Sequence, residues 1–319
     1  MPGTTPLDKT LPKGIFGFIW RISARDQILL SILAVAVFLL NTAPLEIQRR
    51  VVNDAIKNPD FTAIFWLALA YAGVELLHGG LKYLMNVYRG WIGEKATRRL
   101  RLDVHATSTG AQDSARDGIE VAVVVAETEA VGGFVGMGIS EPLLQGGLLV
   151  SVFGYMAWLQ PWMALLCAVL FIPQAAVVPW LQRVINRRAA ERIVVLREVS
   201  AGIVAHPELV DGADDGFEAG TQKVFELNIG IFRLKYGLNF IMNTLYHVSV
   251  AGVLGVGGWL VVHGQIEAGT VVAFLTGLHR TRDPWSDLIN FLREWSVANV
   301  KYHLIADLQA RFEATPAKS

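Results

Sequence analysis

The feature that most constrains this chain is a series of apolar runs, each about as long as a bilayer is thick. The hydrocarbon layer is about 30 Å deep, so a crossing helix needs about 20 mostly apolar residues at 1.5 Å each. Six stretches reach that length: residues 28–45, 61–81, 131–159, 162–181, 238–262 and 269–292. The last is the weakest, because Arg280, Arg282, Asp283 and Asp287 interrupt it. Only 18% of the 319 residues are charged and 53% are hydrophobic, with mean hydropathy +0.41. Ordinary globular domains carry about 25% charged residues. The expected fold class is therefore all-α: a polytopic membrane protein of six transmembrane helices embedded in a lipid bilayer. The first apolar run begins too late and runs too long for a cleaved signal peptide, so it reads as a retained span.

Lysine and arginine placement sets the expected orientation. The leader holds Lys9, Lys13, Arg21 and Arg25; the connection 82–130 holds seven basic residues and 182–237 holds eight. Residues 160–161 and 263–268 hold none, and 46–60 offsets Arg49, Arg50 and Lys57 with Glu46, Asp54 and Asp60. Both long connections and both termini are expected in the cytoplasm, with the protein multi-pass in the inner (plasma) membrane. Ahead of the first span, Ile15, Phe16, Phe18, Ile19 and Trp20 precede Arg21 and Arg25. That pattern reads as an interfacial elbow helix within a leader of residues 1–26, or else as an extension of the first span.

The two long connections keep helical apolar spacing and read as hairpins that carry the spans outward. Each has a cluster of helix breakers near its middle, from Ser108 to Gly118 and from His206 to Gly216. Rigid stalks ending in polar knuckles suit docking of a soluble partner, although solvated turns give the same composition. Several polar residues fall at membrane depth, where charge is costly and faces a bundle interior or a watery cavity. Thr276, Arg280, Asp283, Asp287, Asn290 and Glu294 share one stripe, with Arg280 about 16 Å from Gly269 along the axis. Asn239, Asn243 and His247 form a second stripe beside Tyr236, and Glu75, His78 and Lys82 a third. Glu141 precedes Pro142, where a kink would expose it. Cavity lining is one account of these stripes. The other is internal pairing, of Arg280 with Asp283 or Asp287 and of Glu75 with His78 or Lys82.

The pattern resembles the transmembrane domain of an ABC exporter. The likeness rests on six spans, short outer loops and two long inner hairpins. It also rests on Gly264-Gln265-Ile266-Glu267-Ala268-Gly269-Thr270-Val271-Val272-Ala273-Phe274-Leu275, which is similar to the family's G-x-[IL]-[ST]-x-G-x-[LV]-x-A-F-L entry to the last span. Glu267 stands where that pattern has Ser or Thr, and Pro284 falls where the family usually has a mid-helix proline. The resemblance implies a six-span domain over residues 27–310, followed by a tail, 311–319. No G-x-x-x-x-G-K-[ST] loop occurs. The implied function is a permease subunit, not itself an enzyme, working by alternating access with a second transmembrane subunit, as a homo- or heterodimer. ATP and magnesium would be held by a separate nucleotide-binding ATPase subunit, and this chain would bind no cofactor. By position, the resemblance places the coupling contacts at Asp113, Ser114, Arg116 and Asp117, and at His206, Glu208 and Asp211. The substrate pathway is expected along Glu75, His78, Glu141, Asn243, His247, Arg280, Asp283 and Asp287. The alternatives are a proton-coupled permease of the same fold that needs no ATPase, and a non-transport membrane scaffold.

Other chemistry finds little support. The balance of 28 basic and 28 acidic residues gives no nucleic-acid signature. The histidines show no metal-ligand spacing with a third donor, and Cys167 is alone. No G-x-S-x-G turn occurs. Asp103 with His105, and His303 with Asp307, read as solvated helix residues.

Overall fold

The computed structural model describes residues 12, 14–57, 60–108, 127–205 and 215–314. Among these every regular element is helical: α1 (Ile15–Leu40), α2 (Ala43–Lys57), α3 (Phe61–Ser108), α4 (127–137), α5 (Ser140–Leu159), α6 (Pro161–Ala205), α7 (Asp215–Val262) and α8 (Ala268–Ala314). The sequences explain the boundaries. Pro44 lies in the first turn of α2, where its missing N–H costs nothing, and the chain breaks just before it at Asn41 and Thr42. Gly264 takes a left-handed φ of 68°, a conformation glycine adopts freely, and so turns the chain between α7 and α8. Pro173, Pro179 and Pro284 sit inside helices, which long apolar helices tolerate when neighbouring groups satisfy the freed carbonyls.

Among the described residues, five stretches are long and apolar enough to cross a membrane: Ile15–Lys57, Phe61–Val104, Ser140–Leu159, Pro161–Leu196 and Phe217–Val262. Their surfaces are apolar where a soluble protein's would be polar. Phe61 is 80% exposed, Trp162 76% and Leu76 78%, and soluble monomers rarely show such faces in contiguous rows. The protein is an all-helical, membrane-embedded chain. The sixth expected stretch, 269–292, is helical within α8, but its charges keep it outside the set defined by apolar length.

Three expectations change in detail. The run 131–159 is not one helix: it turns at Gly138 and Ile139, so α5 alone, at about 30 Å, is long enough to span. The acidic and basic residues of 46–60 do not form a loop but lie mostly on α2. The leader and first span are hydrogen-bonded as one helix, yet Ser23 departs from helical geometry (φ −137°, ψ 27°) and separates the aromatic segment from the span.

Three of the helices that flank the long connections, α3, α6 and α7, run far beyond a bilayer's thickness. At 1.5 Å per residue α3 and α7 are each about 72 Å long. The described parts of the two long connections, residues 82–108, 127–130, 182–205 and 215–237, are helical.

The chain forms two compact units. The first comprises residues up to Met156 and from Glu267 onward. Its core joins Ile15, Phe18 and Ile19 of the leader with Leu30, Ala34, Met85, Ile92, Leu144, Phe291 and Tyr302. The second, Ala157–Ile266, is α6 packed along α7. There Arg192 Nη1 donates to Asn228 Oδ1 at 3.2 Å. A Cβ on Gly220 would strike the Val199 side chain, so glycine lets the two helices close together at that point.

Candidate functional site

Among the polar contacts of the first unit's described residues, three clusters join several helices at once. In the first, Glu75 of α3 and Arg280 of α8 form an ion pair. Arg280 Nη1 also donates to Asn41 Oδ1 at 2.6 Å and to the Asn41 carbonyl at 3.3 Å. Asn41 ends α1, so its carbonyl is one of those a helix terminus leaves open, and the guanidinium fills it. His78 Nδ1 lies 3.7 Å from Glu75 Oε2, one helical turn along α3. One arginine thereby ties α1, α3 and α8 together.

The second cluster centres on Arg89 of α3. Its Nη1 pairs with Glu141 and its Nε donates to Ser140 Oγ at 2.8 Å, both at the start of α5. Gln145, one turn further on, donates to Glu141 Oε1 at 2.7 Å and to Asp287 Oδ2 of α8 at 3.0 Å. Arg89 Nη2 is buried with no hydrogen-bond partner among the described residues. Residues from α3, α5 and α8 thus converge in a continuous polar chain.

The third cluster joins α2, α5 and the start of α8. Glu46 is bound by Arg49 (2.8 Å), by Arg50 (2.7 Å) and by the hydroxyl of Tyr155 (2.7 Å). Asn53 Oδ1 accepts the Gly269 N–H at 2.8 Å, capping the first turn of α8, while Asn53 Nδ2 and Lys57 both reach Glu267. Gly269 has no side chain because the space is taken: a Cβ there would run into Arg49 and Asn53. Glu267 lies outside the apolar spans. The hydrogen bond from Lys57 holds its carboxyl below the usual value of 4.5, against a smaller opposing effect of burial.

These contacts redraw several expectations. Arg280 bonds Glu75 and Asn41 rather than Asp283 or Asp287, because its side chain leaves its own stripe for α3. Glu75 does meet His78, as one reading had it. Glu141 is not exposed by a kink at Pro142; it is largely buried against Arg89. Asp283 is exposed, together with His279 and Arg282, while Asp287 is half-buried and held by Gln145. In the second unit Asn239, Asn243 and His247 are all exposed, with Tyr246 edge-on to His247 at 5.3 Å. The expected coupling residues Asp113, Ser114, Arg116, Asp117, His206, Glu208 and Asp211 lie outside the described residues.

Sequence reasoning missed the third cluster and the part played by Arg89. The signal for the third was present: Glu46, Arg49, Arg50, Asn53 and Lys57 recur at three- and four-residue steps, as on one helix face. Arg89 carried no local signal, because its partners stand some 50 residues away in the chain. Among the described residues no group of three or more His, Cys, Asp or Glu side chains is arranged to hold a metal ion. Neither a scan against protein-family models nor a search of curated proteins finds a match.

Proposed function

We propose that the chain is the transmembrane permease subunit of an ABC transporter, moving its cargo by alternating access while a separate subunit hydrolyses ATP. The observation that carries this reading is the division of the helices. α6 and α7 pack on each other as one compact unit. A long two-helix hairpin that packs as a compact unit of its own suits a fourth and fifth span that reach across to a partner subunit. Two further features support it. α3, α6 and α7 extend well beyond bilayer thickness, giving stalks on which an ATPase can pull. In addition, α8 exposes His279, Arg282 and Asp283 in the stretch assigned to the sixth span, which suits a watery path better than lipid.

In this reading Arg280–Glu75 and Arg89–Glu141 are the fixed polar frame of the pathway, and Asp283 is the side chain offered to cargo. The test is affinity purification of the full chain from its native membrane. A nucleotide-binding subunit should accompany it and be lost on Asp113→Lys or Asp211→Lys. Asp283→Asn should alter ATP-driven flux in reconstituted vesicles while membrane insertion stays normal. Recovery of the chain free of any ATPase, with transport collapsed by an uncoupler, would overturn the proposal. That outcome would favour a proton-coupled permease, for which the adjacent Glu75 and His78 are the best-placed groups.

A further inference from the structure

We propose that the seam between α1 and α3 is a binding site for the headgroup of an anionic phospholipid. The two helices run antiparallel, since Asp26 meets Tyr88 and Lys95 near one end, while Asn41 and Glu75 meet the same arginine near the other. Along α3, the exposed residues Leu84, Val87, Trp91, Lys95, Arg98 and Leu102 recur at three- and four-residue steps and so share a face. That face is apolar at Leu84 and Val87, aromatic at Trp91 and basic at Lys95 and Arg98. Along α1, Arg25 is exposed, followed by the exposed apolar side chains of Ile28, Leu29 and Ile32. Because the helices are antiparallel, both basic ends fall at the same level and both apolar rows lead away in the same direction.

The seam is built rather than incidental. Asp26 accepts from Tyr88 (2.8 Å) and from Lys95 (3.2 Å), which fixes the lysine across the two helices. The Lys95 ammonium stands 4.8 Å above the Trp91 ring, and that ring stacks on Tyr88 at 5.8 Å with only 7° between the planes. Aromatic rings of this kind belong at headgroup level, and lysine beside them reaches phosphate. Asp26 and the flanking Glu94 offset two of the three cations Arg25, Lys95 and Arg98, so the seam keeps a net positive charge. A freely dissolved anion has no use for the apolar rows beneath. A glycerophospholipid fits both parts, its phosphate between the cations and its chains along Ile28, Leu29, Ile32, Val87 and Leu84. This site does not depend on what the protein transports.

The test uses the full chain in nanodiscs of equal phosphatidylglycerol and phosphatidylcholine, with retained lipids counted by native mass spectrometry after gentle extraction. The wild-type chain should keep phosphatidylglycerol in preference. The Arg25→Gln, Lys95→Gln, Arg98→Gln triple variant should lose roughly five-fold in that preference for each cation removed, the effect of one basic side chain near an anionic surface. Lys95→Arg should retain it, and so should Lys223→Gln, which makes in the other unit the same charge change as Arg98→Gln alone. If the triple variant does not fold, Arg98→Gln alone should lower the preference measurably. Equal retention of both lipids by the wild type would overturn the proposal, as would an equal loss in Lys223→Gln. Displacement of the bound lipid by millimolar inorganic phosphate would also overturn it, by showing a site for a free anion.

Discussion

Arg89 and Glu141 show what a charge at depth demands. Both are mostly buried, the pair is made, and Ser140 and Gln145 supply the surrounding hydrogen bonds. Removing one partner of such a pair leaves the other charge buried and alone, which costs about 3–5 kcal/mol. Glu141→Ala should therefore lower the unfolding temperature of the detergent-solubilised chain sharply. The double variant Arg89→Met, Glu141→Met should recover much of that loss, since a well-packed apolar pair of similar volume is often nearly neutral. Double-mutant analysis of the four chains would check it, and strictly additive effects would show that the two side chains do not interact. At this scale the sequence was half legible. Helical spacing correctly grouped Glu75 with His78, but it could not tell that Arg280 reaches past its own stripe to α3. That contact joins residues 205 positions apart, and no local pattern encodes it.

Helix contacts depend on small residues placed where backbones meet. In α4, Gly132 and Gly136 stand four apart, the small-xxx-small spacing that brings helices close. They do so here against α3. A Cβ on Gly132 would lie 2.7 Å from the Thr97 backbone nitrogen, and one on Gly136 would overlap the Arg89 carbonyl. Gly133, between them, faces open space. Gly136→Ala should thus destabilise by the 1–3 kcal/mol typical of overpacking, roughly, while Gly133→Ala should not; thermal unfolding of the two side by side decides it. The glycine richness of this stretch was plain in the sequence. Its use was hidden, because only the folded helices show which glycine faces a neighbour. At the other end of the first unit, Glu267 links α2 to the start of α8, and its depressed carboxyl gives a pH dependence of fixed sign. Its contribution to stability is present above its ordinary value of 4.5 and fades as the pH falls through the lowered one. Glu267→Gln should match the acidified wild type and show a flatter stability profile below pH 4.5. The effect should be small, because the side chain is 39% exposed and salt screens it.

For the molecule as a whole, the exposed polar stripe of α7 poses the sharpest question. Asn239, Asn243 and His247 are exposed on a helix whose apolar stretch is long enough to cross the bilayer. Left against lipid, a polar group without a partner is costly to keep desolvated, so the stripe calls for water or protein beside it. The chain offers a clean way to ask which. Its single cysteine, Cys167, is fully buried in the second unit, so water-soluble thiol reagents start from a silent background. His247→Cys in reconstituted vesicles should react with such a reagent if a watery path passes the stripe, as the permease reading requires. Val256→Cys on the same helix, exposed among apolar neighbours, should stay unlabelled in lipid. Rapid cross-linking of His247→Cys to a second copy, without reagent uptake, would instead assign the stripe to a subunit interface. Silence by both measures would count against a watery path along the stripe and against a subunit interface there. It would then also count against the permease reading, which requires water beside α7.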